Sequence, residues 1–97
     1  MKNKDRINSV SQLSVPIFKR NGVTYAAIFG SFVRSEEKIE SDIDFLLEYN
    51  EGVSIFDVIG LKRELEEALG RKVDLVSLKY LNRNIRQRVL KEQVRIL

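Results

Sequence analysis

The sequence predicts an α/β (α+β) domain, a small mixed β-sheet flanked by helices. Two observations predict it. Apolar, β-branched segments at residues 23–29, 43–49 and 72–77 are typical of buried strands, with a short last strand expected at 94–97. Segments of helical character precede, separate and follow these strands, and alternation of this kind favours a sheet with helices packed on it. The 97 residues form one predicted domain, residues 1–97, without internal repeats.

The N-terminal part is predicted as two pieces. Residues 1–13 are expected to form an arm or a short helix whose apolar positions could serve an interface. A separate helix is expected to begin at Ser14 as its N-cap, with Pro16 in the first turn, and to run to Arg20. Asn21 and Gly22 would end that helix before the first strand.

Further helices are predicted after each remaining strand. A short helix is expected over 31–37, and a longer one capped by Ser54 or Asp57 that reaches Leu69 and is closed by Gly70. The apolar repeat of that longer helix comprises Val58, Leu61, Leu65, Ala68 and Leu69. A basic helix is expected over 80–92, with Ile85 and Val89 on one face.

The composition excludes several kinds of chemistry. The chain has neither Cys nor His, so it has no disulfide, no thiolate metal site and no imidazole base. Any metal would be held by oxygen ligands, which points to Mg²⁺, Mn²⁺ or Ca²⁺. The net charge of +3 permits a phosphate-bearing partner without requiring one. No secretion signal or membrane span is recognisable, so a cytoplasmic location is expected.

Gly30 and Ser31 follow the first strand and precede a short helix. Gly lets backbone approach a ligand closely, and the start of a helix offers unpaired N–H groups to a phosphate. The alternative is an ordinary strand-to-helix turn with Ser31 as N-cap, and for this dipeptide alone that alternative is favoured.

Asp42 and Asp44 enclose Ile43 at the start of the second strand. Alternate residues of a strand share a face, so the two carboxylates would lie side by side and repel unless a cation lies between them. The alternative is a turn residue followed by a solvated surface charge. The buried strand that follows Asp44 argues against it, because an uncompensated carboxylate there is costly.

Asp74 is a third carboxylate within an apolar strand. It is either an ion-paired residue at a sheet edge or a third acid next to the Asp42 and Asp44 strand. In the second case three acids converge opposite the Gly30–Ser31 turn. That arrangement fits phosphoryl transfer with two Mg²⁺ ions bridging the acids and a nucleoside triphosphate, which requires mainly positioning and charge neutralisation.

These residues together resemble a known signature. Gly30-Ser31, Asp42-x-Asp44 and Asp74 are similar to the motif of the DNA polymerase β-like nucleotidyltransferase superfamily, in its minimal nucleotidyltransferase (MNT) branch, over residues 14–97. The resemblance implies that Gly30 and Ser31 hold phosphates and that Asp42 and Asp44 are metal ligands. Asp74 would be the third acid, a catalytic base or further metal ligand.

Arg34 matches a frequent basic position of this family and would contact phosphate or stabilise the loop; a surface ion pair is an equal alternative. Ser35 departs from the family, many members of which have Gly there. Ser35 can replace that Gly only where the backbone does not need a positive φ.

MNT proteins are often antitoxins that transfer AMP to a HEPN-domain toxin. The resemblance therefore implies NMP transfer, AMP from ATP or another NMP from its NTP, to a protein hydroxyl. A HEPN-type toxin is the expected partner, in a possible homo- or hetero-oligomer, and neither membrane nor nucleic acid is required. The alternatives are an antitoxin that acts by binding alone and transfer to a small molecule or an RNA end.

The C-terminal segment carries six cationic residues within its last nineteen positions, Lys79, Arg83, Arg86, Arg88, Lys91 and Arg95. The favoured interpretation is a solvated amphipathic helix packed on the sheet. The alternative is a contact with RNA, triphosphate or an acidic partner, although Tyr80 is the only aromatic residue there, which weakens a stacking mode.

Overall fold

The computed structural model describes residues 2–34 and 42–97, and for residues 2, 3, 31 and 34 it describes the backbone alone. The helices are α1 (Lys2–Arg20), α2 (Ser31–Arg34), α3 (Ile55–Leu69) and α4 (Arg83–Glu92). The strands are β1 (Val23–Phe29), β2 (Ile43–Tyr49), β3 (Val73–Ser77) and β4 (Val94–Arg95), and a 3-10 turn spans Leu78–Tyr80.

The four strands form one mixed sheet in the order β3-β2-β1-β4. β2 lies between an antiparallel neighbour, β1, and a parallel neighbour, β3. β4 adds to the free edge of β1 in antiparallel orientation. The parallel pair requires a crossover, which α3 supplies between β2 and β3. The predicted α/β class with a small mixed sheet is confirmed, and all four strands were located within one or two residues.

The core lies mainly between the sheet and the α1 and α3 layer. Phe18 of α1 packs edge-to-face on Phe45 of β2, with ring centroids 5.2 Å apart. Leu61 and Leu65 of α3 are fully buried in the same cluster. A smaller cluster on the opposite face of the sheet contains Ala27, Leu46, Leu78 and Val89. β2 is therefore covered on both faces, in agreement with its nearly continuous apolar sequence.

The predicted helix start at Ser14 is wrong, because α1 runs without interruption from residue 2 to residue 20 and includes Pro16. Proline removes one backbone hydrogen bond and normally bends or ends a helix. Here Val10 precedes the proline and Phe18 follows it, and both are buried in the main core. Tertiary packing on both sides of Pro16 therefore outweighs the local signal, and residues 2–13, predicted as an arm or a short helix, belong to this one helix.

The basic helix also differs from its prediction. Residues 78–80 form the separate 3-10 turn, and α4 begins only at Arg83, capped by the side chain of Asn82. Val89 is buried as expected, whereas Ile85 is mostly exposed. The two residues are four apart and share one face of α4, as predicted, but that face is covered at Val89 and not at Ile85. Among the described helices, none is long and apolar enough to cross a membrane.

Candidate active site

Gly30 connects the end of β1 to α2 and has a φ of +79°. L-residues with side chains rarely adopt this left-handed conformation, and glycine adopts it without cost. The turn is closed by the N–H of Val33, which donates to the carbonyl oxygen of Gly30 at 3.2 Å.

The carboxylate of Asp44 lies directly against Gly30. A Cβ atom built on Gly30 would overlap Oδ2 of Asp44 and come within 3.4 Å of its Cγ. The register of the antiparallel pair explains the contact, because Phe29, the last residue of β1, lies opposite Asp44. Glycine at position 30 thus serves two purposes, the positive φ and the space that the Asp44 carboxylate occupies.

Asp44 also lies beside Asp74. In the parallel β2–β3 pair these two residues are register partners, so their strands are about 4.8 Å apart and their side chains leave the same face of the sheet. Asp44 is partly exposed and Asp74 is exposed. The predicted convergence of these two acids with the Gly30 turn at one end of the sheet is therefore present.

The remaining predicted site residues are placed less completely. Asp42 is partly exposed and immediately precedes β2, two residues from Asp44. The backbone of Ser31 and Arg34 belongs to α2, but their side chains lie outside the described part of the chain. Ser35, the departure from the family motif, also lies outside the described residues.

The acids occupy the less covered face of the sheet. Asp44 is two residues from Leu46, so it lies on the face of the smaller core cluster rather than beneath α1 and α3. That face is covered by the 3-10 turn and by α4, which buries Val89 there. A ligand could approach Asp44 and Asp74 from this side without displacing the main core.

The donor set determines which metal the site can hold. Carboxylate oxygens suit Mg²⁺, which is typically bound through one or two carboxylates together with phosphate oxygens and water. No group of three or more His, Cys, Asp or Glu side chains able to hold a metal ion is found among residues 2–34 and 42–97. The carboxylates at this site fit a Mg²⁺ that takes its other ligands from a triphosphate, and they do not fit a metal held by protein alone.

Phe32 supports the Gly30–Ser31 turn from the opposite side of the sheet. Its ring is almost fully buried. The guanidinium carbon of Arg6 lies 4.7 Å from the ring centroid and that of Arg71 lies 5.7 Å from it, within the range of cation–π contacts. The same residues border a cavity of about 370 Å³ between α1, α2 and the end of α3.

These contacts tie the turn to α1 and to the segment before β3, and the sequence analysis did not identify them. An aromatic residue inside the glycine–serine motif was the available signal for Phe32. No sequence signal identified its two arginine partners, because they come from distant parts of the chain.

A second depression lies at the other end of the acid-bearing face. It has a volume of about 570 Å³ and lies between β2, the 3-10 turn and α4, where Lys79, Tyr80 and Arg86 face Glu48 and Glu51. Its walls carry both signs of charge, so it does not form a purely cationic surface for a nucleic acid. The basic residues of α4 nevertheless remain exposed, as the solvated-helix interpretation expected.

Comparison with known proteins places the chain in a family. Residues 14–97 match the family model described as Polymerase beta, Nucleotidyltransferase. A candidate protein adenylyltransferase of Methanocaldococcus jannaschii is 43% identical over 91 residues, which cover 94% of this chain and 98% of that protein. The protein adenylyltransferase MntA of Thermococcus cleftensis is 42% identical over 76 residues, covering 78% of this chain and 77% of the relative.

Solved structures agree with this placement. A candidate minimal nucleotidyltransferase superposes with a TM-score of 0.82 at 32% identity, covering 93% of this chain and 92% of that one. A toxin–antitoxin structure with AMP-PNP has a TM-score of 0.77 at 21% identity, covering 90% and 72%. A tri-AMPylated Shewanella oneidensis HEPN toxin in complex with its MNT antitoxin has a TM-score of 0.71 at 20% identity, covering 93% and 71%.

The similarity to the last two structures, at 21% and 20% identity, shows the fold alone. The family match and the sequence relatives are independent of them and carry the assignment. The chain is a nucleotidyltransferase and belongs to the polymerase β-type nucleotidyltransferase family, in its minimal form.

Proposed function

We propose that this protein transfers AMP from ATP, with Mg²⁺, to a hydroxyl group of a HEPN-type partner protein and thereby acts as an antitoxin. The observation that carries the proposal is the position of the Asp44 carboxylate, between Gly30 at the phosphate turn and Asp74 on the neighbouring strand. The names of the close relatives support a protein acceptor and an adenylyl donor. The Shewanella oneidensis complex supports the kind of partner.

Each residue has a defined task in this reaction. The backbone at Gly30 and Ser31, with Arg34, holds the β- and γ-phosphates. Asp42 and Asp44 face the donor as metal ligands. Mg²⁺, when bound there, neutralises triphosphate charge and favours ionisation of the acceptor hydroxyl. A remote neighbour, a toxin–antitoxin structure with AMP-PNP, supports a nucleoside triphosphate as the donor.

The chemical step forms one bond and breaks one. The acceptor oxygen bonds to the α-phosphorus, and the bond from that phosphorus to the bridging oxygen of the β-phosphate breaks, releasing pyrophosphate. Asp74 takes the proton of the acceptor hydroxyl. Its exposure on the same face as Asp44 leaves room for a side chain of another protein to approach.

The test is transfer of label from α-phosphate-labelled ATP, with Mg²⁺, into protein of the source cell's lysate and into a purified HEPN-type partner. Wild type is compared with the Asp42→Asn/Asp44→Asn double variant. We expect a labelled band with wild type and a loss of at least about a hundredfold with the variant. Glu48→Gln, an exposed carboxylate further along β2, is the matched control and should label normally.

Two results would contradict the proposal. Equal labelling by wild type and the double variant would mean that AMP transfer does not take place at this site. No label with any of the four NTPs, while the purified chain still captures and inhibits its partner, would leave an antitoxin that acts by binding alone.

A further inference from the structure

The outer face of α3 carries large apolar side chains that the fold does not bury. Ile55, Phe56 and Ile59 are 67%, 79% and 51% exposed. They lie on a well-formed helix, capped at its start by Ser54 and at its end by Gly70. Leu61 and Leu65, on the opposite side of the same helix, are fully buried and fix which face turns outward.

Gly60 lies within this face, and no contact inside the described chain requires a glycine at this position. Its φ is not in the left-handed region, and a Cβ built on it would meet no atom within 4 Å. Glycine within a helix is less favourable than alanine, and nothing in the described packing requires it here. A bare backbone at an exposed helix position does allow another helix to approach closely.

The face is complementary to a second copy of itself. Phe56, Ile59, Gly60 and Arg63 form one stripe, because residues three and four apart are neighbours on a helix surface. When two such helices cross antiparallel with their centre between Ile59 and Gly60, each Ile59 lies level with Gly60 of the second copy. Phe56 then lies level with Arg63 of the second copy, and the exposed guanidinium can stack on the ring.

From this self-complementarity we propose that two copies of the chain associate through the outer face of α3, antiparallel and centred on Ile59 and Gly60. The same patch serves both copies, as a two-fold interface requires. α3 covers the face of the sheet opposite to Asp44 and Asp74. The dimer therefore leaves the acid-bearing face of each copy accessible, and the inference does not depend on the proposed transfer reaction.

The first test is the mass of the purified chain in solution. One helix pair buries less than the standard interface of about 800 Å² per partner, so association is expected to be weak and visible from about 0.1 to 1 mM. Sedimentation equilibrium should then approach twice the chain mass of 11.3 kDa. Ile59→Glu should weaken the dimer at least about tenfold, because it buries a charge at the centre of the contact.

Ile85→Glu is the matched control, since Ile85 is 52% exposed on α4 and receives the same change. It should leave the dimer unaltered. Gly60→Gln should change two measured quantities, the stability of the monomer and the strength of the dimer, in opposite directions. It should raise the thermal midpoint of the monomer, because glutamine suits a helix better than glycine, while weakening the dimer by filling the space that Ile59 of the second copy requires.

The geometry is tested by crosslinking. The chain has no cysteine, so a single introduced one reports contact between copies. Ile59→Cys should form an intermolecular disulfide under mild oxidation much faster than Ile85→Cys, because only position 59 lies near the two-fold axis. A chain that stays monomeric to about 1 mM, a dimer that survives Ile59→Glu, or equal crosslinking of the two cysteine variants would overturn the proposal.

Discussion

Gly30 is the residue at which backbone conformation and acid placement depend on each other. Its positive φ turns the chain from β1 into α2, and its missing side chain leaves room for the carboxylate of Asp44. An acid at the end of a buried strand would normally point into water. Here close packing against the glycine holds it beside the turn that connects β1 to α2, so a small domain without His can keep a carboxylate in a defined position.

Gly30→Ala should therefore affect both stability and activity. Alanine in the left-handed region costs roughly 1–2 kcal/mol, and its methyl group would displace the Asp44 carboxylate. We expect a lower midpoint of urea unfolding. We also expect AMP transfer to fall at least about tenfold in an assay without urea, where the variant is still folded.

Gly70→Ala separates the two effects. Gly70 has a φ of +68°, but a Cβ there would meet no atom within 4 Å. It should lose similar stability and keep its transfer rate. If both variants lost activity equally, the Gly30–Asp44 contact would have no specific role.

Ser14 is a buried polar residue of the main helix α1. It is fully buried inside α1, and its hydroxyl oxygen has no hydrogen-bond partner among the described residues. Burying an unsatisfied polar group costs about 1–3 kcal/mol. Ser14→Ala should accordingly raise the free energy of unfolding by about 1 kcal/mol or more.

The control for that prediction is Ser9→Ala, an exposed position of the same helix, which gains only the helix propensity of alanine. The free energies are measured by urea unfolding. A Ser14→Ala variant no more stable than Ser9→Ala would show that the hydroxyl is satisfied in solution.

At the scale of elements, α3 shows how much a local motif can specify. The N–H of Ser54 donates to Oδ2 of Asp57 at 2.8 Å, and the N–H of Asp57 donates to Oγ of Ser54 at 3.2 Å. The sequence suggested either residue as the cap, and the structure uses both in one reciprocal capping box. The helix that is fixed this way connects β2 to β3 and so helps to bring Asp44 beside Asp74.

Loss of either partner of this capping box should cost about 1 kcal/mol of unfolding free energy. We expect Ser54→Ala and Asp57→Ala each to show this cost in urea unfolding. The double variant should lose clearly less than the two costs added together, because both single changes remove the same reciprocal contact. Additive losses would mean that the two caps act independently.

Elements with strong local signals were predictable from the sequence, and those decided by packing were not. β1 and β2 were predicted with the bounds that they have, because largely apolar segments between turn residues leave little choice. Ser14 and Pro16 gave a false helix start, because burial on both sides of the proline outweighs its local cost. Ile85 lies on the predicted face of α4 but stays exposed, because periodicity does not reveal how far along a helix that face is covered.

At the scale of the whole molecule, the site depends on sheet order. Gly30, Asp44 and Asp74 are far apart in the sequence and meet because β2 lies between β1 and β3. The sequence could name these residues from their chemistry, and it could place them together only on the assumption that their strands were adjacent. The contact of Asp44 with Gly30 and the arginine pair on Phe32 required the three-dimensional arrangement.

The last four residues hold the free edge of this sheet. Ala26 exchanges backbone hydrogen bonds with the C-terminal segment, donating to the carbonyl of Leu97 at 3.1 Å and accepting from the N–H of Ile96 at 2.8 Å. Val94, Ile96 and Leu97 also pack against the main core. A chain that ends after Gln93 would lose these contacts and expose β1 as an edge strand.

Removal of residues 94–97 should therefore lower the free energy of unfolding by about 3 kcal/mol, roughly 1 kcal/mol for each partly buried apolar side chain. Urea unfolding measures this loss. Arg95→Ser is the control that keeps the strand, and it should lose only about 1 kcal/mol, from the contacts of the guanidinium with the Tyr25 ring and the Leu97 carbonyl. The truncated chain should also associate as its concentration rises, since an unpaired strand edge can recruit another chain. An unchanged unfolding midpoint would mean that β1 is stable as an edge, and β4 would then contribute nothing to the stability of the sheet that carries the acids.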